Sequence, residues 1–320
     1  MTNPAQEHVP PKSGRKRKSS NKFVRTSRHY IEYIGFLVLR GLIRALPLAV
    51  GVKLSSRLWR VIAPKLYRHE RALRHIARAL PNLDHDEHLA ILDKMWGNLG
   101  ATMAESFQLD RIANHEERIV LNPSPAAKEI LDRRSDIIFV SAHLGNWEIS
   151  AIAVARTGID VAGVYQRVLN PYVERAVYKS RLPYYRAGLF EKGHRAVLAL
   201  KNALKNGHAI ALMADLRDVR GQTVTFFGEP APSTIFPALL ARHTGAPLIG
   251  VRIVRTGMSS FRVDLVEIPV ARTEDRNQDI ETITISIQNQ LQTWIMEHPE
   301  QWMWAHRRWD MKRSISTEVK

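Results

Sequence analysis

From Asp136 onward, short apolar runs alternate with longer segments that have helical spacing. The runs are rich in β-branched and aromatic residues, which is typical of buried strands; they read DIIFVSA, DVAGVY, HAIALMA, APLIGVRIV and FRVDLVEI. Segments with apolar residues every three or four positions lie between them, such as WEISAIAVAR, PYVERAVYKSR and HRAVLALKNALKN. Strands that alternate with helices predict an α/β fold with a mixed, largely parallel sheet flanked by helices.

The region before these strands has a helical pattern. Between residues 65 and 109, apolar residues recur at three- and four-residue steps, which predicts two or three helices. Asp84 and Glu87 have the spacing of a capping box, and acidic side chains are favourable in the first turn of a helix. We therefore expect a helix to begin next to Asp84, and we prefer this explanation of the string DHDEH to a metal site.

Residues 30–62 are apolar, but five Lys or Arg side chains and Pro47 interrupt them. The uncharged stretches are far shorter than the roughly 20 residues that cross a bilayer. We predict an amphipathic helical segment in the lipid headgroup layer, with its Arg and Lys side chains reaching the phosphates. A short or tilted membrane span and a buried helical hairpin are the alternatives.

Charge and composition narrow the choice of partner. The chain of 320 residues has a formal net charge of +16 and a pI near 10.3, so it should attract polyanions such as an anionic membrane surface. Residues 12–28 are basic and poor in large apolar groups, which predicts a disordered arm over residues 1–29. We expect the main domain at residues 63–313 and a tail at 314–320. The chain has no cysteine, which excludes disulfides and a cysteine nucleophile.

The candidate catalytic residues lie at the end of the strand predicted from DIIFVSA. DIIFVSA runs directly into HLGNWE, residues 143–148, and then into a helical segment, so His143 should lie at the carboxyl end of a strand. A carboxylate that accepts a hydrogen bond from one imidazole nitrogen leaves the other free to take a proton. We predict that His143 is a general base, that Glu148 is its partner, and that Gly145 permits the turn between them.

The same segment resembles a known family. HLGNWE is similar to the H-x4-[DE] block of the glycerolipid and lysophospholipid acyltransferase superfamily, and its Gly-Asn-Trp interior resembles the late lipid A acyltransferases, the lauroyl and myristoyl transferases of lipopolysaccharide assembly. Further blocks follow in order: YQR at 165–167 with Asn170-Pro171, MAD at 213–215, VTFFG at 224–228 and HPEQWMWAHRRW at 298–309. The resemblance covers most of the chain after the basic arm.

The resemblance implies a substrate pair and a location. The implied fold is acyltransferase-like, the donor is acyl-acyl carrier protein, and the acceptor is a hydroxyl of a Kdo-bearing, phosphorylated lipid A precursor. The expected acyl chain is lauroyl, and the expected location is the cytoplasmic face of a Gram-negative inner membrane. No cofactor and no metal are expected. The acidic carrier protein and the phosphorylated acceptor both suit a basic chain.

Further residues are assigned from the same blocks. Arg167 is the candidate that meets the developing oxyanion or a phosphate of the acceptor. Asp215 follows a strand and is expected to orient Arg167 or the acceptor. We also assign Asn146, Arg307 and Arg308 to substrate binding. The tryptophans of the C-terminal block, Trp302, Trp304 and Trp309, fit an interfacial belt or a packed core equally well.

Other classes of function fit less well. A nucleic-acid-binding protein would show a recognisable module or clustered stacking aromatics, and neither is present, so no nucleic-acid partner is expected. Residues 188–193 have the glycine spacing of a P-loop, but His194 and Arg195 replace the residues that it requires. A non-catalytic basic membrane scaffold, and an acyltransferase of another glycerolipid or glycolipid, remain the alternatives.

Overall fold

The computed structural model describes residues 22–309, which form strands and helices as follows. The strands are β1 (Ile119–Pro123), β2 (Ile138–Ser141), β3 (Val161–Tyr165), β4 (Gly188–Glu191), β5 (Ala209–Met213), β6 (Arg217–Phe226), β7 (Glu229–Ser233), β8 (Leu248–Gly257) and β9 (Ser260–Ile268). The helices are α1 (Lys22–Ala45), α2 (Leu48–Ile62), α3 (Tyr67–Ala79), α4 (His85–Ser106), α5 (Leu109–Ala113), α6 (Pro125–Arg133), α7 (Ile149–Arg156), α8 (Pro171–Arg181), α9 (His194–Lys205), α10 (Phe236–Thr244) and α11 (Arg276–Glu297).

Seven strands form one sheet in the order β1-β9-β8-β2-β5-β3-β4. Every neighbouring pair in it is parallel except β8 and β9, which pair antiparallel. The sheet is therefore mixed and largely parallel with flanking helices, which confirms the fold class predicted from the sequence. The strands β6 and β7 form a separate antiparallel pair.

Both faces of the central strands are buried. Along β2, Ile138 and Val140 belong to one apolar cluster, and Phe139 belongs to another together with Ile249 and Val251 of β8. Successive side chains of a strand point to opposite faces, so the two clusters lie on the two sides of the sheet. A strand that is buried on both faces must be apolar at every position, which explains the continuous run DIIFVSA.

The predicted helix start at Asp84 is confirmed. The Asp84 carboxylate accepts a hydrogen bond from the Glu87 backbone N–H, and the Glu87 carboxylate accepts one from the Asp84 N–H, each at 2.8 Å. This reciprocal capping box satisfies two backbone donors that a helix would otherwise leave without partners. It begins the long helix α4, whose far end supports the candidate site.

The helix α1 begins earlier than the sequence pattern predicts. Residues 22–29, assigned above to a disordered arm, form its first turns, while residues 1–21 and the predicted tail lie outside the described part of the chain. Tertiary contacts explain the difference, because Asn170 donates to the His29 carbonyl at 2.8 Å and to the Glu32 carboxylate at 2.9 Å. These bonds attach α1 to the start of α8.

One side of each N-terminal helix carries exposed apolar side chains. We call these sets the α1 stripe and the α2 stripe; the α1 stripe is Ile31, Ile34, Val38 and Leu42, and the α2 stripe is Val50, Leu54, Leu58 and Val61, with exposed fractions of 49% to 70%. The three- and four-residue spacing places each set along one face of its helix. In residues 22–309, no helix has both the length and the apolar character needed to cross a bilayer.

Candidate active site

His143 and Asp215 meet at one edge of the sheet because their strands are neighbours in register. Ser141 of β2 pairs with Met213 of β5, and each site residue lies two positions beyond its strand. The Ala214 N–H still donates to the Ser141 carbonyl, so the two chains run side by side up to the site. Functional residues of open α/β sheets lie beyond the carboxyl ends of the strands, as these do.

The partner of the His143 imidazole is Asp215. His143 Nδ1 lies 2.9 Å from Asp215 Oδ1, and Asp215 Oδ2 accepts from the His143 backbone N–H at 2.9 Å and from Trp302 Nε1 at 2.8 Å. Burial disfavours the charged carboxylate, but the charge and hydrogen bonds of His143 outweigh it and hold the pKa of Asp215 below its usual range. An ionised carboxylate only accepts, so Nδ1 carries the hydrogen and Nε2 is left as the basic nitrogen.

The predicted pairing of His143 with Glu148 is not the one in the structure. Glu148 lies at the start of α7 and receives two hydrogen bonds from the Arg181 guanidinium, one of them Nε to Oε2 at 2.8 Å. The side chains of the pair are 9% and 26% exposed, so the carboxylate is held in a mostly buried ion pair. Gly145 and the turn after it direct Glu148 toward α8, while the neighbouring strand β5 supplies the carboxylate for His143.

A small cavity lies beside this ion pair and away from the imidazole. Its volume is about 40 Å³, and the side chains of Phe36, Phe107 and Val177 line it together with Glu148 and Arg181. The cavity therefore has an apolar wall from α1, α8 and the end of α4, and an ionic wall from the Glu148 pair.

Gly145 makes the turn that follows His143. Its φ of 58° lies in the left-handed region, and a Cβ there would approach the Ile253 carbonyl oxygen to 2.3 Å. The Gly145 carbonyl accepts hydrogen bonds from Asn98 at 2.9 Å and Thr102 at 3.1 Å, both on α4. Its N–H donates to the Gln301 carbonyl at 3.0 Å. The turn is thus fixed from three sides, and glycine is the residue that it requires.

Asn146 does not face the substrate side of this turn. It is fully buried and donates from Nδ2 to Glu105 Oε2 at 2.9 Å, while its side-chain Oδ1 accepts from the Glu148 N–H. Glu105 is itself bound by both terminal nitrogens of Arg255 and by the Ser259 hydroxyl. The assignment of Asn146 to substrate binding is therefore wrong, because its hydrogen-bonding groups are used to anchor the loop.

Arg167 lies beyond β3 at the same edge of the sheet. Its guanidinium is 3.7 Å from the carboxylate of Glu191 at the end of β4, and both side chains are more than half exposed. The structure does not bring Asp215 to Arg167, so the predicted orienting role of Asp215 toward Arg167 is replaced by its bonds to His143. A role of Arg167 toward substrate stays a prediction.

Arg308 is a structural residue. It is fully buried, donates to the Pro232 carbonyl, the Ser233 hydroxyl and the Gln288 side chain, and lies over the Phe226 ring at 4.6 Å. Burial lowers its pKa to about 10. The structure thus contradicts its predicted part in substrate binding, because the side chain is fully buried and both terminal nitrogens are bound within the protein. Arg307 next to it is exposed, and its predicted role is untested.

The C-terminal tryptophans belong to the core. Trp302, Trp304 and Trp309 are each less than 5% exposed and pack against Phe226 and Phe227. This decides between the two interpretations of the aromatic block in favour of core packing. It also places the Trp302 indole where its N–H holds Asp215.

His306, which lies in the C-terminal aromatic and cationic block and was not assigned to the active site from the sequence, is a neighbour of His143. Its ring centroid lies 4.6 Å from that of His143, whose own ring centroid lies 5.1 Å from that of Trp147. Burial lowers the pKa of His306 to about 3, and the charges of His143, Arg68 and Arg71 act in the same direction against the opposing effect of Asp215. His306 is therefore neutral at ordinary pH. In residues 22–309, no His, Asp and Glu side chains form a group that could hold a metal ion.

Comparison with known proteins identifies the family of this chain. The sequence profile of the bacterial lipid A biosynthesis acyltransferases matches residues 17–311. The chain therefore belongs to the bacterial lipid A biosynthesis acyltransferase family, as its sequence blocks predict.

More distant relatives and structures are also similar. Phosphatidylinositol mannoside acyltransferase from two strains of Mycobacterium tuberculosis is 26% identical over 189 residues, which is 56% of this chain and 56% of the relative. The match thus spans about half the length of each relative. The crystal structure of 1-acyl-sn-glycerophosphate acyltransferase, PlsC, from Thermotoga maritima aligns with 78% of this chain and 98% of that one, at 15% identity and a TM-score of 0.36.

Proposed function

We propose that this protein transfers a fatty acyl group from a thioester to a hydroxyl group of a membrane lipid, with His143 as general base. The single observation that carries the proposal is the His143–Asp215 pair at the carboxyl ends of β2 and β5. The buried carboxylate fixes the protonated nitrogen as Nδ1, so that Nε2 is available to take a proton. The imidazole is 14% exposed, which leaves it accessible to a substrate.

The proposed reaction needs no nucleophile from the protein. As the acceptor hydroxyl attacks the thioester carbonyl carbon, its proton passes to His143 Nε2. The resulting imidazolium is stabilised by the ionised Asp215, which does not itself take the proton. Collapse of the tetrahedral intermediate breaks the carbon–sulfur bond, and His143 returns its proton to the leaving thiolate. Ester and free thiol are the products.

The substrates are proposed from the family and from charge. We take the donor to be acyl-acyl carrier protein, with lauroyl as the expected chain, and the acceptor to be a Kdo-bearing lipid A precursor. The net charge of +16 supports both, because the carrier protein is acidic and the acceptor carries phosphates and carboxylates. The mycobacterial relative supports a glycolipid as the second candidate acceptor.

We further propose that the α1 and α2 stripes bind the cytoplasmic face of the inner membrane. Eight large apolar side chains that are 49% to 70% exposed form these two faces, and single exposed apolar residues elsewhere would need no such explanation. A membrane surface would cover them without a span.

The test is acyl transfer from lauroyl-acyl carrier protein to the Kdo-bearing lipid A precursor, and to phosphatidylinositol mannoside in parallel. His143→Ala should lose on the order of 10²-fold or more in kcat, because the base is removed. His194→Ala, at an exposed position on α9, is the matched control and should keep full activity. Full activity of His143→Ala would overturn the mechanism, and transfer to the mannoside alone would replace the acceptor.

A further inference from the structure

Helix α3 carries four arginines, and its buried face packs on the segment that borders His143. Ala72 and Ile76 of α3 belong to the same apolar cluster as Trp302 and Trp304. His75 Nδ1 lies 3.0 Å from the Trp304 carbonyl oxygen, which attaches the middle of the helix to this segment. The His75 ring also lies 5.1 Å from the Trp309 ring, so α3 packs along the segment that carries His306, the neighbour of the His143 ring.

Two of the arginines, Arg68 and Arg71, lie two turns and one turn before His75 on this side of the helix. Residues at such spacings share a helix face. Their positive charges help to lower the pKa of His306, after burial and the charge of His143.

Neither guanidinium has an acidic partner within residues 22–309. Arg68 donates from Nε to the Tyr67 hydroxyl at 3.3 Å, and Arg71 Nε is buried without a hydrogen-bond partner. By contrast, Arg74 pairs with Glu70 at 3.8 Å, and Arg78 pairs with Glu229 at 2.5 Å. Arg68 and Arg71 are thus the two arginines of α3 without an acidic partner in the described part of the chain. The Nε of Arg71 is buried, where an unpaired donor is costly unless a ligand supplies an acceptor, and the exposed Arg68 one turn earlier is open to the same ligand.

The surroundings of these arginines indicate what kind of ligand supplies the anionic group. Leu66 is 37% exposed and Tyr67 is 72% exposed, and Val61 at the end of the α2 stripe is 65% exposed. Exposed apolar side chains therefore continue from the α2 stripe to the start of α3. A ligand with acyl chains on one side and an anionic headgroup on the other would match both features.

We infer that Arg68 and Arg71 form a subsite for a phosphate group of the lipid acceptor, placed beside His143. The inference rests on the proposed function for the identity of the acceptor. Arg presents a planar fork of N–H donors that binds two phosphate oxygens at once, so two adjacent arginines suit one phosphate group. Holding that phosphate fixes the position of the acceptor hydroxyl relative to the base.

The test measures lipid binding without turnover. The full chain in detergent micelles is titrated with a bisphosphorylated lipid A precursor that lacks Kdo, and with the same lipid after phosphatase treatment. Arg68→Gln and Arg71→Gln should each weaken binding of the phosphorylated lipid by about 10-fold or more, and should leave binding of the dephosphorylated lipid unchanged. Arg74→Gln on the same helix is the matched control, and Arg71→Lys should restore part of the affinity.

The outcomes separate the possible sources of the anion. Equal binding of both lipids by the wild type, or unchanged affinity in both Gln variants, overturns the subsite. Inorganic phosphate that binds the wild type as tightly as the lipid does would show a site for free phosphate instead. A rise in KM for acyl-acyl carrier protein, with lipid binding unchanged, would show a docking site for the donor.

An activity assay distinguishes failure of the proposed function from failure of the phosphate subsite. The same preparations are assayed for acyl transfer, and His143→Ala serves in the binding titration. Arginine-dependent binding by a wild type that transfers no acyl group would retain the subsite and reject the function. Acyl transfer together with lipid binding that does not depend on Arg68 and Arg71 would retain the function and reject the subsite.

Discussion

Gly145 shows at the scale of one residue why the His143 loop has the shape it has. Its φ is 58°, and a Cβ added there would meet the Ile253 carbonyl oxygen at 2.3 Å. Gly158 also has a positive φ, of 82°, but a Cβ added to Gly158 would have no atom within 4 Å. Gly145→Ala should therefore cost about 2 kcal/mol or more in the free energy of unfolding, and Gly158→Ala about 1 kcal/mol. Urea denaturation of both variants measures this difference. Equal costs would show that the close approach to Ile253 is unimportant.

Asp215 permits a sharper test of the proposed base. Its Oδ2 accepts from two donors, the His143 N–H and Trp302 Nε1, so an asparagine must keep its carbonyl oxygen there and turn its NH₂ toward His143 Nδ1. Nδ1 must then accept, and the hydrogen moves to Nε2, where it blocks the base. Asp215→Asn should therefore lower kcat on the order of 10²- to 10⁴-fold, with KM changed little. Steady-state kinetics with both substrates measure this, and kcat within a few-fold of wild type would contradict it.

The Glu148–Arg181 pair acts at the scale of elements, because it joins α7 to α8. Each partner left alone would be a mostly buried charge without a counterion, so Glu148→Ala and Arg181→Ala should each cost about 2–4 kcal/mol of stability. The double variant should cost less than the sum of the two, with a coupling energy of about 1–3 kcal/mol. Chemical denaturation of the wild type, the two single variants and the double variant measures this coupling energy as a double-mutant cycle. Additive costs would mean that the ion pair contributes no stability of its own.

The α1 stripe leads to a prediction about membranes. Ile34→Asp with Val38→Asp places two charges on it, and should lower partitioning to anionic vesicles by about 10-fold or more, because two apolar side chains no longer leave water. Leu198→Asp on α9 is the matched control, since Leu198 is 65% exposed but lies outside both stripes. Vesicle sedimentation measures the partitioning. An equal loss in the control would point to a general effect of charge.

The whole molecule should lose stability as pH falls, through its buried histidines. Burial lowers the pKa of His75 to about 4 from its ordinary 6.5, and backbone bonding to Trp304 only partly opposes this. Below pH 6.5 the unfolded chain takes a proton that the folded chain does not take until about pH 4. His75 should therefore remove about 1.4 kcal/mol of stability per pH unit in that window, and nothing above it.

Chemical denaturation across this pH range measures the effect. His75→Gln keeps a donor for the Trp304 carbonyl and should flatten the dependence on pH by this amount. His194→Gln, at an exposed position, should leave the slope as it is. A slope that is the same in all three proteins would show that His75 does not titrate in this way.

Much of the fold follows from local pattern. DIIFVSA and HAIALMA predict buried strands because a strand that is covered on both faces must be apolar throughout, and the Asp84 capping box predicts a helix start because its bonds are local. The strands β1 and β4 at the sheet edges, and the polar pair β6 and β7, carry no such signal, since they are short or partly exposed.

The candidate site, like the fold, was predictable from the sequence only in part. The sequence by itself determined that His143 follows a buried strand, because the apolar run ends there and a glycine turn comes next. The partner of His143 was decided only by the order of the sheet, which places β5 beside β2 and brings Asp215, 72 positions away, within 2.9 Å of the imidazole. Glu148 is nearer in sequence, but the turn at Gly145 directs it to Arg181. Strand order depends on packing across the whole sheet, and a local pattern does not contain it.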